Sequence, residues 1–301
     1  MANEENMFFT LLAGNLIQGL FLGSVYGLAT MGLSLIYGVM NVVNVGHGQF
    51  IMVGAFIALT MFNVLGISPI ATIPVALIIG MALGFLFFYT VMRRLIKAPE
   101  LTSLLATFAI GILLEEVAKL IFGADFRGYN WNVGKIILPV TIIPMSKFYA
   151  FVGSIFIASL LYVWFNQTKV GTAVRAVVQD SEGAKVCGIN ISWIYSLSFA
   201  IGIGLTVMSG VLLTMFIPVG INPYMGGPYT LKAFVIAVLG GLTSPFGAFF
   251  GGLIFGLVEN GAYVLFAQIP GVAPFPLTVS LAFWMLFLFL LLKPTGLFRS
   301  K

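Results

Sequence analysis

Residues 169–190 bring together polar side chains that could recognise a partner. This segment, called the polar island below, reads K-V-G-T-A-V-R-A-V-V-Q-D-S-E-G-A-K-V-C-G-I-N and holds five charged residues, although only 8% of the chain is charged. At helical spacing it has an apolar arc, formed by Ala173, Val174, Ala176, Val177 and Ala184, and a polar arc, formed by Thr172, Arg175, Gln179 and Glu182. Gly188 stands where a helix C-cap would. The pattern predicts a short amphipathic helix that either lies on a membrane interface or docks into a soluble partner.

Two glycine-containing interruptions of the apolar sequence are candidates for a solute path. They are residues 41–49, N-V-V-N-V-G-H-G-Q, and residues 240–247, G-G-L-T-S-P-F-G. Because irregular backbone at membrane depth must be buried in protein or face water, such breaks indicate a substrate path. The candidate path residues are Asn41, Asn44, His47, Gln49, Thr243 and Ser244. The alternative is that both breaks are ordinary turns and that His47, the single histidine, is a hydrogen-bonded structural residue.

The sequence contains no motif that would give the chain chemistry of its own. It has no Walker A sequence, no nucleophile elbow and no cluster with metal-ligand spacing. We therefore expect no enzyme, no metal and no cofactor in this chain, and any energy for transport must come from a gradient or from another chain. Of the charges inside apolar runs, Lys119 is spaced to pair with Glu115 or Glu116, whereas Lys232 and Glu259 are expected at the outer membrane edge.

Composition assigns these polar stretches to an integral membrane protein. The chain has 301 residues, of which 60% are hydrophobic, and its 8% of charged residues compares with roughly 25% in soluble domains. A spanning helix needs about 20 apolar residues. The apolar runs predict an all-α polytopic membrane protein with about eight or nine transmembrane helices, interrupted helices and a cytoplasmic amphipathic helix, all in one transmembrane domain over residues 1–301. The net charge of +5 is spread along membrane edges, so nucleic acid is not an expected partner.

The distribution of Lys and Arg predicts the orientation in the membrane, because positive residues collect in cytoplasmic loops. If the loop at Arg93 is cytoplasmic, alternate counting also places the polar island and the C-terminus there. These regions hold nine basic residues: Arg93, Arg94, Lys97, Lys169, Arg175, Lys185, Lys293, Arg299 and Lys301. The outer loops hold Arg127, Lys135 and Lys147. We expect an outside N-terminus and a cytoplasmic C-terminus, in a prokaryotic plasma (inner) membrane.

Three blocks of the sequence strongly resemble a known family. They are G-L-S-L-I-Y-G-V-M-N-V-V-N-V-G-H-G-Q-F at 32–50, G-T-A-V-R-A-V-V-Q-D-S-E-G-A-K-V-C-G-I-N at 171–190 and F-V-I-A-V-L-G-G-L-T-S-P-F-G-A at 234–248. Together they resemble the LivH-type permease of branched-chain amino acid ABC importers, and the resemblance runs from about residue 17 to residue 297. It implies that the island is the coupling helix that seats in a cytoplasmic ATPase. The coupling residues would be Gly171, Arg175, Gln179, Asp180, Glu182, Gly188 and Asn190.

The resemblance also implies partners and a substrate class. It implies a LivM-like second permease, two cytoplasmic ATPase subunits that bind the ATP, and an external substrate-binding protein that delivers Leu, Ile or Val, all acting within membrane lipid. Urea and short-amide permeases share these blocks, so they remain an alternative for the substrate. A secondary transporter or channel that acts alone, and a structural membrane subunit without conduction, remain alternatives for the function. The resemblance alone does not decide between a homodimer and a heterodimer of permeases.

Overall fold

The computed structural model describes residues 2–96, 98–271, 273–292 and 297. Lys97, Lys293, Arg299 and Lys301, four of the residues on which the predicted orientation depends, lie outside the described residues. In chain order the helices are α1 (Ala2–Met40), α2 (His47–Leu65), α3 (Pro69–Leu95, with a π-helical turn at Phe88–Met92), α4 (Glu100–Phe122), α5 (Met145–Gln167), α6 (Lys169–Gln179), α7 (Ser181–Val186), α8 (Ile191–Thr214), α9 (Gly226–Gly240), α10 (Pro245–Phe266) and α11 (Pro274–Leu292). A short antiparallel hairpin joins β1 (Lys135–Ile137) to β2 (Ile142–Pro144).

The predicted all-α polytopic fold is confirmed. Among the described residues, six helices (α1, α2, α3, α5, α8 and α10) are long and apolar enough to cross a membrane. Three further helices, α4, α9 and α11, pack with them, and α9 has only 15 residues. Such a short helix cannot cross roughly 30 Å of hydrocarbon by itself. It therefore spans only part of the bilayer before the turn that leads into α10.

Glycine contacts hold the centre of the bundle together. Helices α1 and α10 run antiparallel, and a Cβ added at Gly23 would lie 3.1 Å from the Cα of Leu253 and 3.2 Å from the Cα of Gly256. A Cβ at Gly27 would lie 3.0 Å from the Cα of Phe249. Helices in lipid associate through close backbone packing of this kind. These glycines therefore serve the close packing of α1 against α10.

The end of α1 that contains Met40 shares one end of the bundle with the polar island. The ring of Phe165, at the end of α5 just before the island, lies 5.8 Å from the ring of Phe246 at the start of α10. The amide of Leu297 donates to the carbonyl of Leu239 at 2.9 Å, which brings residue 297 to the same end. The hydroxyl of Tyr89, near the end of α3, donates to Ser196 at 3.4 Å, close to where the chain leaves the island. The segments that the charge distribution groups together are thus neighbours in space.

The opposite end of the bundle is closed by the loops that the charge distribution assigns to the other side. Arg127 forms an antiparallel bridge with Ile221, with N–H···O distances of 2.8 and 3.1 Å. The ammonium of Lys147, in the first turn of α5, donates to Gln18 of α1 at 2.8 Å. Lys119 pairs with Glu116 and lies 3.9 Å from Glu115, which confirms the predicted ion pair. These contacts tie the loops after α4 and α8 to each other and to the bundle.

Candidate functional site

The first interruption places extended backbone inside the helical bundle. The chain leaves α1 after Met40 through Asn41, whose φ of 52° is in the left-handed region that asparagine tolerates. Residues 41–46 then run back along α1, and α2 begins at His47, whose Nε2 lies 3.1 Å from the carbonyl oxygen of Ala29. Ala29 lies about 16 Å along the axis from Met40, at 1.5 Å per residue. The start of α2 is therefore deep within the bundle.

Two threonines from neighbouring helices satisfy the backbone of this break. Thr107 Oγ1 on α4 accepts from the amide of Val45 at 3.1 Å and lies 3.2 Å from the carbonyl of Val43. Thr230 Oγ1 on α9 accepts from the amide of Gly48 at 2.8 Å. Unpaired backbone groups at membrane depth are costly, so side-chain partners of this kind are what allow the helix to break here. The break is a built feature of the fold and not an ordinary surface turn.

Three of the predicted path residues present unpaired polar atoms around the start of α2. Asn44 is 1% exposed and His47 is 0% exposed, yet Asn44 Nδ2 and His47 Nδ1 have no hydrogen-bond partner among the described residues. Gln49 Oε1 is likewise buried without a partner, and its side chain lies between α4 and α9, where a Cβ at Gly226 would be 2.9 Å from its Cδ. Buried polar groups are normally paired, so such a group calls for water, a ligand or a second conformation. Asn41 is exposed at the end of α1.

The second interruption has the features of an ordinary turn. Gly241 has a φ of 107°, and Ser244 Oγ caps α10 by accepting from the amide of Gly247 at 3.1 Å. Thr243 is exposed, and a Cβ at Gly38 would lie 3.1 Å from its carbonyl oxygen. Thr243 and Ser244 are therefore at the end of the bundle with Asn41. The structure does not bring them together with Asn44, His47 and Gln49.

The polar island is helical, but it forms two helices where the sequence predicts one. Asp180 has extended backbone (φ −154°, ψ 103°), and its carboxylate accepts from the amide of Glu182 at 3.0 Å, so it ends α6 and caps α7. Gly188 ends α7 with a φ of 84°, as predicted, and the amide of Ile189 reaches back to the carbonyl of Ala184 at 3.1 Å. Asn190 caps α8 by accepting from the amide of Trp193 at 3.1 Å.

The apolar arc of the island packs on the bundle as predicted, but Arg175 differs from the prediction. Val174, Val177 and Ala184 are buried, and Gly171 is buried where a Cβ would lie 2.5 Å from the carbonyl oxygen of Trp164. The helical wheel predicts Arg175 on the exposed arc. Its guanidinium instead folds back onto the end of α5, donates to the carbonyl of Phe165 and to Thr172, and lies 5.5 Å from the Phe165 ring centroid. Arg175 thus fastens the island to the bundle.

The surface that the island leaves free is part polar and part apolar. Gln179, Asp180 and Glu182 are exposed. Val186 is 89% exposed and Val178 is 39% exposed. Exposed aliphatic side chains beside charged ones are typical of a docking surface, since the apolar groups gain from burial and the charges select the partner.

A buried ion pair is the feature that sequence reasoning missed. Lys232 on α9 and Glu259 on α10, predicted separately at the outer membrane edge, meet at 2.6 Å with side chains only 18% and 13% exposed. The Lys232 ammonium also donates to the hydroxyl of Tyr26 at 3.0 Å, and Tyr26 lies near the middle of the long apolar helix α1. In the sequence, Lys232 and Glu259 each lie near the end of an apolar run. Only the antiparallel arrangement of α1 and α10, with α9 beside them, brings them together.

The described part of the chain offers no metal site. Within it, no group of three or more His, Cys, Asp or Glu side chains is placed to hold an ion. The polar groups that the described residues present are the neutral side chains at the helix break, the exposed surface of the island and the Lys232–Glu259 pair. Such groups suit a solute path and a docking surface.

Comparison with known proteins agrees with this architecture. The family model for the branched-chain amino acid transport system permease component matches residues 15–292. The chain belongs to this family of membrane permease components. It is 31% identical to the high-affinity branched-chain amino acid transport system permease protein BraD of Pseudomonas aeruginosa, with 94% of each chain covered. It is 30% identical to the corresponding LivH protein of Salmonella typhimurium, with 98% of this chain and 97% of that protein covered.

Relatives also occur in archaea and among solved structures. The chain is 29% identical to the probable branched-chain amino acid transport permease LivH of Methanocaldococcus jannaschii, over 77% of this chain and 75% of that protein. Among solved structures, PsaBC from Streptococcus pneumoniae in complex with Fab matches with a TM-score of 0.51 and 17% identity, covering 98% of this chain and 97% of that chain. The last similarity concerns the fold alone.

Proposed function

We propose that this chain is a transmembrane permease subunit of an ABC importer for the branched-chain amino acids Leu, Ile and Val. It acts as a single transmembrane domain that forms the translocation path and contains no ATP site of its own. The observation that carries the proposal is the match to the permease family over residues 15–292, together with relatives of about 30% identity along nearly the whole chain.

Coupling to ATP hydrolysis is assigned to the polar island. Its free surface presents Gln179, Asp180 and Glu182 beside the exposed Val186, while Arg175 and Gly171 hold the island against the end of α5. A rigidly attached helix pair can transmit movement of an ATPase to the spans, because displacement of α6 and α7 pulls directly on α5 and α8. Gly188 and Asn190 fix the exit from the island into α8.

The translocation path is assigned to the broken segment between α1 and α2. Asn44, His47 and Gln49 supply neutral polar groups around the start of α2, and their unpaired atoms can be completed by water or by a passing solute. Asn41, Thr243 and Ser244 lie at the end of the bundle that the island shares, where they would line the cytoplasmic exit.

The proposal includes an orientation and a set of partners. The end that contains the island faces the cytoplasm, with the N-terminus outside and the C-terminus inside a prokaryotic plasma membrane. A LivM-like second permease completes the path, two ATPase subunits dock on the islands, and an external binding protein delivers the substrate. The exposed aliphatic side chains of α4 and α5 are available for the second permease or for lipid.

Uptake by reconstituted complexes tests the proposal. The chain is co-expressed with a LivM-like permease and two ATPases of the same organism, purified, and placed in proteoliposomes with a binding protein for branched-chain amino acids. We expect uptake of labelled L-leucine that requires internal ATP and is not reduced by excess urea or acetamide. Uptake of urea in place of leucine would identify a short-amide permease, and leucine uptake by the chain alone without ATP would identify a secondary transporter. Either result overturns the proposal.

A further inference from the structure

The ion pair of Lys232 and Glu259 lies on the wall of a cavity between α1, α9, α10 and α11. The cavity has a volume of about 520 Å³, within the range of small-molecule sites. Much of the lining is apolar, including Leu22, Met225 and Val235, whereas Lys232 and Glu259 supply its charged groups. Charged side chains inside membrane spans are costly, and they mark paths for ions and substrates. None of the polar residues at the start of α2 lines this cavity, but the lining residue Met225 directly precedes Gly226, which packs against Gln49, so the cavity adjoins the proposed path.

The pair keeps one acceptor and one donor unused. Glu259 Oε1 takes the ammonium of Lys232 at 2.6 Å, while Glu259 Oε2 is buried without a hydrogen-bond partner of good geometry in the described structure, although the hydroxyl of Tyr26 faces the same carboxylate. A lysine ammonium has three donors. Lys232 gives one to Glu259 and one to Tyr26 Oη at 3.0 Å, and its third faces no oxygen or nitrogen acceptor among the described residues, with the Tyr229 ring centroid 5.6 Å from the ammonium, so a ligand carboxylate can take it. Burial of an unpaired carboxylate oxygen costs stability. Its presence therefore favours a role in ligand binding over a purely structural role for the ion pair.

We infer that this cavity binds an α-amino acid as a zwitterion during its passage. The ammonium of the ligand is held by Glu259 Oε2, its carboxylate by the free donor of Lys232, and its aliphatic side chain by the apolar lining. Because the pair and the ligand are each neutral, binding places no net charge in the membrane. The inference rests on the proposed function and deepens it, since an uncharged amide such as urea would not need both charges.

A reporter cysteine measures occupation of the cavity directly. In a Cys187→Ser background, Tyr263→Cys places a thiol on the lining, at a position that is 44% exposed. The purified full transporter, without its binding protein, is labelled with N-ethylmaleimide. We expect L-leucine to slow labelling, whereas 4-methylpentanoate, which lacks the ammonium, and 3-methylbutylamine, which lacks the carboxylate, do not. The control is Leu160→Cys, 53% exposed on an apolar cavity between α3, α5 and α8, where leucine should give no protection.

Three variants separate ligand binding from a structural role. Glu259→Gln and Lys232→Met each remove one charge, and we expect the leucine concentration for half-protection to rise tenfold or more. The double variant removes both charges, which restores a neutral and stable pair, so a structural role predicts recovery of protection. Binding of a zwitterion predicts that protection stays lost although the double variant is monodisperse and assembles with its partners.

The outcomes distinguish this inference from the proposed function. If the wild-type transporter takes up leucine but leucine gives no protection at Tyr263→Cys, the inference is wrong and the proposed function stands. Equal protection by all three compounds, or protection that survives in the double variant, also overturns the inference. If lipid fills the cavity, Tyr263→Cys should resist labelling both with and without leucine, and that result would also overturn the inference.

Discussion

Replacing Thr107 by valine tests whether side chains from other helices hold the broken segment in place. Thr107 is 1% exposed, and its hydroxyl is the partner of the Val45 amide at 3.1 Å. Valine has nearly the same shape and cannot accept a hydrogen bond. The substitution therefore leaves the partly buried Val45 N–H unpaired, which costs about 1–3 kcal/mol. The substitution should destabilise the broken segment at residues 41–46 and not α4, because α4 keeps its own backbone hydrogen bonds.

Amide hydrogen exchange followed by mass spectrometry measures this cost locally. If the break opens more easily by about 1–3 kcal/mol, peptides that cover residues 41–49 should exchange roughly 5- to 150-fold faster. Peptides from α8 should be unchanged. Thr90→Val is the matched control, because Thr90 is an exposed helical threonine whose hydroxyl only donates to the carbonyl of Leu86 at 2.7 Å. Its effect should stay within about 0.5 kcal/mol.

Two results would refute this reasoning. Unchanged exchange over residues 41–49 in Thr107→Val would mean that the break does not depend on the threonine bridge. An equal acceleration in Thr90→Val would mean that loss of any helical hydroxyl loosens the bundle. In either case the broken segment would have to be held by packing alone, with the Val45 amide satisfied by water.

Three further predictions concern the start of α2 and the island. Gly48→Ala should lower the free energy of unfolding by about 1–3 kcal/mol in mixed-micelle denaturation, since the new Cβ would lie 2.7 Å from the backbone nitrogen of Thr230, whereas Gly227→Ala, with open space around it, should be neutral or slightly stabilising. Glu182→Lys should reduce leucine-stimulated ATPase activity at least several-fold with an unchanged melting temperature. Glu100→Lys, the control, reverses another exposed acidic residue in the first turn of a helix and should leave the activity intact. Equal loss of activity in both variants would contradict docking at the island. Gly188→Ala should destabilise the protein by about 1 kcal/mol in the same denaturation assay because of its φ of 84°, and no change would show that the turn relaxes.

The polar island shows which structural features a local sequence pattern can predict. Its apolar spacing correctly predicted that Val174, Val177 and Ala184 are buried, and its glycine correctly predicted the end at Gly188. Both are local properties of helical periodicity and backbone conformation. The split at Asp180 and the inward turn of Arg175 were not predicted, because they depend on a competing side-chain cap and on the carbonyl of Phe165 from another helix.

The two interruptions look alike in sequence and differ in space. Both combine glycine with polar residues, so composition indicated a break in each. The first break runs from the end of the bundle into its interior, where Thr107 pairs with the backbone of Val43 and Val45 and Thr230 accepts from the amide of Gly48. Residues 241–244 instead form a capped turn at the end of the bundle. Depth in a bundle depends on what other helices offer to the chain, and a local pattern contains no information about that.

By itself the sequence determined that this chain is a helical membrane protein, which of its segments are helical and where two of them break, because hydrophobicity, glycine and capping residues act within a few positions of one another. It also identified the family through three ordered blocks. Tertiary structure alone decided that Lys232, Glu259 and Tyr26 meet, and that Asn44, His47 and Gln49 point unpaired polar atoms into a buried region. These pairings join residues up to about two hundred positions apart. They arise from the crossing of packed helices, which no periodicity within a single helix can encode.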